Sequence, residues 1–161
     1  MSMPKKTPRV PAAPESASAL AQSDYERLAD FRYALRQFQA FSQHAAKEAG
    51  LTPQQHQSLL AIKGAQARGG MSISGLSQRM LLRHHSAVEL VDRLVSAGLV
   101  LREASEQDAR KVMLTLTRRA EDVLASLSAA HLEELRRVGP VLTDLIARVS
   151  ASGTGLDVLA F

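Results

Sequence analysis

The sequence predicts a mainly α chain, an α+β arrangement with very little strand. Three observations carry this. Apolar residues recur at three- and four-residue steps through most of the chain, which is the period of one helix face. The period drops to two only around residues 99–102 and 112–116, where strands are expected. Hydrophobic residues make up 45 % of 161 positions, enough to build one core but not several.

Residues 1–22 read as a disordered basic arm. The segment holds Pro4, Pro8, Pro11 and Pro14 beside Lys5, Lys6 and Arg9, and little that packs. A first helix is expected over residues 23–50. Ser23 is the candidate cap, with Glu26 three residues on. Leu28, Phe31, Leu35, Phe38, Phe41 and Ala45 form its apolar stripe, and Gly50 ends it. A stripe that rich in aromatics calls for another helix to cover it.

Thr52-Pro53-Gln54-Gln55 opens a second helix. Thr52 caps, proline suits the first turn, and Gln55 closes a capping box. Gly64, Gly69 and Gly70 break the chain after it. Ser72 caps a third, short helix with Ile73, Leu76 and Met80. Gly75 inside that helix costs roughly 1 kcal/mol of propensity relative to alanine. A fourth helix runs from about His84 to Ala97, with Ala87, Leu90, Val91 and Leu94 inward and Gly98 as its stop.

Two strands follow, separated by the polar segment 103–111, longer than a tight turn needs. Thr117 caps a fifth helix, expected over Arg118 to Val138. Gly139-Pro140 is expected to break it before a sixth helix, Val141 to Val149. The tail, residues 151–161, is weakly apolar.

Composition excludes several classes. There is no cysteine, so no disulfide, thiol sensor or Cys-based zinc site. That suits a reducing cytoplasm, the expected location. No apolar run nears the roughly 20 residues of a membrane span, and the N-terminus lacks the apolar block of a secretory signal. No metalloprotease, phosphate-loop or nucleophile-elbow motif occurs. An enzyme is not expected, and no cofactor is implied. His44, His56 and His131 are scattered and read as ordinary surface or core histidines. His84-His85 is a poor metal pair, because neighbours on a helix diverge by about 100°.

The net charge is +4, unevenly spread. Residues 50–119 carry a net +5, against 0 over residues 24–49 and −3 over residues 120–161. A basic centre between a neutral and an acidic flank suggests a polyanion as partner.

Two short helices followed by a two-stranded hairpin make a winged helix-turn-helix. Its second helix fits the DNA major groove, where base edges are legible. That helix presents Arg83, His84, His85 and Ser86 in its first turn, with Glu89 one turn on and Arg93 beyond. The hairpin tip carries Arg110 and Lys111, placed to reach the adjacent minor groove.

Here the sequence resembles the MarR family of bacterial transcription regulators. The resemblance rests on Val88-Glu89-Leu90-Val91-Asp92-Arg93-Leu94, then Gly98-Leu99-Val100, then Asp108-Ala109-Arg110-Lys111-Val112-Met113-Leu114-Thr115-Leu116-Thr117. It covers about residues 24–149. It implies a winged helix over residues 51–117 that binds double-stranded DNA. It also implies a homodimer, built from residues 23–50 and 118–150, on a pseudo-palindromic operator. Phe31, Leu35, Phe38, Leu127, Leu135, Leu142 and Ile146 are the implied dimer-seam residues.

Arg110 matches the family's minor-groove arginine, and Asp108 the acidic residue that braces a nearby arginine. A carboxylate aimed at phosphate would be repelled, so bracing is physically sensible. His84-His85-Ser86 and Glu89 depart from the family pattern. Glu89 accepts from cytosine or pairs with Arg93 one turn away. The resemblance further implies a repressor released by a small aromatic or amphipathic effector, bound between the dimer seam and the DNA-reading lobe. The alternatives are a winged-helix protein-interaction module, or a ligand-binding dimer without specific DNA binding.

Overall fold

A computed structural model describes residues 20–105 and 112–151, with side chains to residue 148. The order is α1 (Gln22–Glu48), α2 (Pro53–Ala65), a 3-10 turn (Gln66–Arg68), β1 (Met71–Ser72), α3 (Ile73–Arg79), α4 (His84–Ser96), β2 (Val100–Ala104), β3 (Val112–Leu116) and α5 (Arg118–Ala151). The fold class expected from the periodicities is the one found: a winged helix-turn-helix between two long helices.

Local signals place most of the ends. At α2 the Thr52 hydroxyl accepts from the Gln55 N–H at 3.1 Å, and the Gln55 side chain accepts the Thr52 N–H at 2.8 Å. Both halves of the capping box form. The Ser72 hydroxyl accepts the Gly75 N–H at the head of α3. Thr117 accepts the Ala120 N–H at the head of α5 and donates to the Gly98 carbonyl at 2.8 Å. One threonine therefore ties the end of α4 to the start of α5.

The expected start of α1 is corrected. Helix begins at Gln22, Ala21 occupies the cap position, and the Asp24 carboxylate accepts the Ala21 N–H at 3.0 Å. Ser23 lies inside the helix. A carboxylate in the first turn does the capping, favoured there by the helix dipole.

The expected break at Gly139-Pro140 is also corrected. Residues 118–151 form one helix with Pro140 inside it. An interior proline forgoes a backbone hydrogen bond, at about 3 kcal/mol. Burial opposes that loss: Val138 and Leu145 are both buried on one face of α5, on either side of the proline, and α5 packs along α1. The seam stays in register only if the helix continues.

The sheet has three strands in the order β1-β3-β2, all antiparallel. Val100 faces Leu116 and Ala104 faces Val112. β2 therefore runs two residues into the segment read as loop. β1, too short to show a period, pairs Met71 with Leu114.

The core is centred on the winged helix. Leu59 and Ile62 of α2, Leu76 of α3, Leu90, Val91 and Leu94 of α4, and Leu114 of β3 are all sealed from solvent. Leu124 and Leu127 of α5 and Ala46 of α1 join the same cluster, so the long helices are fixed to the winged helix. Lys63 of α2 and Glu121 of α5 close the same joint with a 2.5 Å ion pair, and that hydrogen bond holds the Glu121 carboxyl below its ordinary pKa.

Candidate nucleic-acid interface

α4 is the candidate reading helix. Ala87, Leu90, Val91 and Leu94 are buried, a stripe at steps of three and four that seats it on the core. The opposite face is bare. His85, Glu89, Asp92, Arg93 and Ser96 are exposed along it, Ser86 is half-buried at its flank, and Arg83 and His84 are exposed at the helix start. The residues named from sequence in this helix thus share one end and one face. Glu89 and Arg93 form no ion pair among the described residues, although one turn separates them. Both keep their full hydrogen-bonding capacity toward solvent or a ligand.

Asp92 does something the sequence did not show. Its carboxylate accepts from Arg102 of β2 at 2.6 Å. The wing strand is thereby tied to the reading helix. Arg119 of α5 donates to the Ala97 carbonyl at the C-terminal end of α4, and Arg118 pairs with Asp122 at 3.1 Å. The Arg102 and Arg119 contacts hold the C-terminal half of α4 and its cap, the Arg118 pair lies within α5, and the N-terminal turn of α4 stays exposed.

The expected wing contacts Arg110 and Lys111, and the bracing Asp108, lie outside the described residues. The strands before and after them in sequence are described. β2 and β3 stay paired as far as Ala104 and Val112.

The turn between α3 and α4 holds a backbone outlier. Leu81 has φ +55°, is almost fully exposed, and is the sole described non-glycine with positive φ. Its N–H goes to the Gln78 carbonyl, and the next N–H, from Leu82, goes to the Ser77 carbonyl. This is a Schellman cap with leucine in the left-handed position. The same motif ends α1 at Gly50 and α4 at Gly98 with glycine in that place. No period or spacing in sequence marks Leu81.

The proposed seam residues divide. Leu127 is buried in the chain's own core and has no surface to offer a partner. Phe31, Leu35, Phe38 and Leu142 are half-buried; Leu135 and Ile146 are exposed. The α1 aromatics are partly covered from within the chain: the Phe38 and Phe41 rings stand edge-on to His131 of α5 at 6.0 and 5.3 Å.

His131 donates from Nδ1 to the Leu127 carbonyl, and its Nε2 hydrogen-bonds with the Ser42 hydroxyl 2.8 Å away. His56 of α2 lies against it, rings 4.7 Å apart. His56 is a core histidine, and its buried Nδ1 has no hydrogen-bond partner among the described residues. Burial, and secondly the charge of His131, push its pKa below the ordinary imidazole value. His44 is exposed beside Glu48.

Among the described residues no helix is long and apolar enough to cross a membrane, and no group of three or more metal-ligating side chains converges.

Residues 49–111 match the MarR family model. No curated protein matches the chain in sequence. Solved structures do match in fold. A variant of MepR from Staphylococcus aureus superposes with a TM-score of 0.66 at 15 % identity, over 80 % of this chain and 98 % of that one. AbsC, a MarR family transcriptional regulator from Streptomyces coelicolor, gives 0.65 at 20 % identity, over 84 % and 93 %. A MepR variant bound to an oligodeoxyribonucleotide gives 0.60 at 15 % identity, over 80 % and 98 %. At such identities the likeness is one of fold. With the family model spanning the reading helix and most of the wing, and these folds shared nearly end to end, the resemblance read from the sequence holds: the chain has the fold of the MarR family of transcription regulators.

Proposed function

We propose that this chain is a homodimeric, DNA-binding transcription regulator that represses from a pseudo-palindromic operator. The observation that carries the reading is the seating of α4. Its apolar stripe is buried, its N-terminal turn is open, and the Asp92–Arg102 pair sets the wing strand beside it. A helix so held enters a major groove with His84, His85, Ser86 and Glu89 toward base edges and Arg83 and Arg93 toward phosphates. Arg110 and Lys111 at the hairpin tip would grip the flanking minor groove, with Asp108 as the brace.

The two-fold partner would cover the exposed Leu135 and Ile146 on α5 and the outer half of the α1 stripe. A small aromatic or amphipathic ligand would release the dimer by favouring a lobe spacing that misfits the operator. The MepR variant bound to an oligodeoxyribonucleotide supports the DNA reading by analogy of fold.

The test is a DNA shift on the promoter of its own gene, titrated with salt. Log affinity should fall linearly with log salt, by about 0.9 per phosphate neutralised. Arg110→Ala should weaken binding about tenfold, the worth of a lost charged contact. Salt-insensitive or absent binding would favour a protein-docking winged helix, for which the exposed Glu89 is no liability.

A further inference from the structure

We infer that the contact between His56 of α2 and His131 of α5 is a proton-operated joint, at which acid loosens the winged helix from the long helices while both stay folded. Three elements meet there. His56 comes from α2, His131 from α5, and Phe38, Phe41 and Ser42 from α1. The two imidazoles lie 4.7 Å apart, tilted by 43°.

The two rings are unequally provided for. Both nitrogens of His131 are occupied, Nδ1 by the Leu127 carbonyl and Nε2 by the Ser42 hydroxyl. His56 is 3 % exposed, and its Nδ1 is buried with no partner among the described residues. A leucine would pack in such a place without leaving a polar atom orphaned, so packing alone does not account for an imidazole. A second proton on that ring would put a donor where nothing accepts and a charge beside His131. Opening the seam to water relieves both.

The surroundings supply no counter-charge. His131 is the titratable group that faces His56 from α5, and α1 contributes the uncharged Phe38, Phe41 and Ser42. Lys63, two turns along α2, is taken by Glu121 at 2.5 Å, and His44 of α1 pairs with Glu48 in an exposed place. The Lys63–Glu121 pair also sets the motion. It ties α2 to α5 at a second point, and its carboxyl is held below the ordinary range, so it stays charged where imidazoles titrate. One tie holds while the other opens.

The sign follows from burial. The open form takes its proton at about pH 6.5, and the closed form only at lower pH. The joint is closed above about pH 6.5. Below it the closed-to-open ratio falls by at most about tenfold per pH unit for one proton.

The consequence for DNA rests on the regulator reading, in which this joint sets where the two reading helices of a dimer sit. Opening itself is testable without DNA, so the two fail separately. The chain has no cysteine, so Gln54→Cys on α2 and Ala129→Cys on α5, both exposed positions, accept a pair of spin labels. Labelled chains diluted into unlabelled ones report the distance within one chain. Pulsed resonance should give a single distance at pH 7.5 and a second, longer one at pH 5.5, with the circular dichroism of the folded chain retained. His56→Leu should keep the single distance at both. Binding to the promoter DNA of its own gene should weaken by up to about tenfold between pH 6.5 and 5.5 in the parent relative to His56→Leu. The comparison cancels protonation of His84 and His85, which would strengthen binding in both. A distance that ignores pH in the parent, or that lengthens equally in His56→Leu, would overturn the joint. Opening with unchanged DNA binding would overturn its effect on the operator, and no DNA binding at any pH would overturn the regulator reading instead. Should His56→Leu fail to fold, His56→Gln replaces it under the same criteria.

Discussion

Arg102 of β2 donates to the Asp92 carboxylate of α4 across 2.6 Å, joining the wing to the helix it flanks. Both side chains are partly exposed, so the pair adds little stability, on the order of 0.2–1 kcal/mol. Its value is positional. A double-mutant cycle of Asp92→Ala and Arg102→Ala should give a coupling in that range, fading as salt rises. Amide exchange at Leu101 and Glu103 should quicken in either single variant while α4 itself stays protected. Unchanged β2 exchange would show that the strand is placed by its pairing alone.

Leu81 should be replaceable at a gain. A left-handed leucine costs about 1–2 kcal/mol, and its exposed side chain buries nothing in return. Leu81→Gly should raise stability by about 0.5–1 kcal/mol after the added freedom of the unfolded chain is counted. Urea denaturation measures it. A loss of stability would mean that the side chain packs in solution, or against the partner subunit.

His56 should make the fold acid-sensitive. Its folded pKa lies below the ordinary value, because charge is unwelcome in its buried place. As pH falls, the unfolded chain takes up the proton first. Stability is whole above about pH 6.5 and declines as pH drops from there toward the lowered folded pKa, by at most about 1.4 kcal/mol per pH unit for one proton. The urea midpoint should fall between about pH 7.5 and 5.5 in the parent chain, and its slope with pH should flatten in His56→Leu. A parallel slope in that variant would assign the effect elsewhere.

The outer face of α5 should be the subunit seam. Leu135 and Ile146 are exposed in the single chain, and each is worth about 1.5–3 kcal/mol when buried. The double variant Leu135→Glu with Ile146→Glu should convert a dimer to a monomer by light scattering at micromolar concentration, and weaken operator binding with it. A dimer that survives both charges places the seam on another surface.

What was legible in sequence was what is local. Thr52 with Gln55, Ser72 with its own helix, and Gly98 after Leu94 signal within one turn, and each fell where expected. The hairpin was legible because a period of two has few other meanings. Ser23 failed as a cap because Asp24, one position later, offers the stronger acceptor. Pro140 misled because a local rule met a seam on either side of it. His56 and His131 were unreadable as a pair, as were Asp92 with Arg102: each needs a contact that only the packed helices create. The exposed face of α4 was clear from its buried stripe.

A long helix interrupted by proline is one object in shape and two in cooperativity. Position 140 has no N–H to give, so the hydrogen-bond ladder of α5 has a missing rung near its outer third. Unravelling from the far end can stop there. Amide protection should step down across Pro140, with residues 141–148 opening at lower free energy than residues 120–138. The winged-helix body is then insulated from fraying at the far end of α5. The outer segment of α5 can open and close again without asking α4 to move.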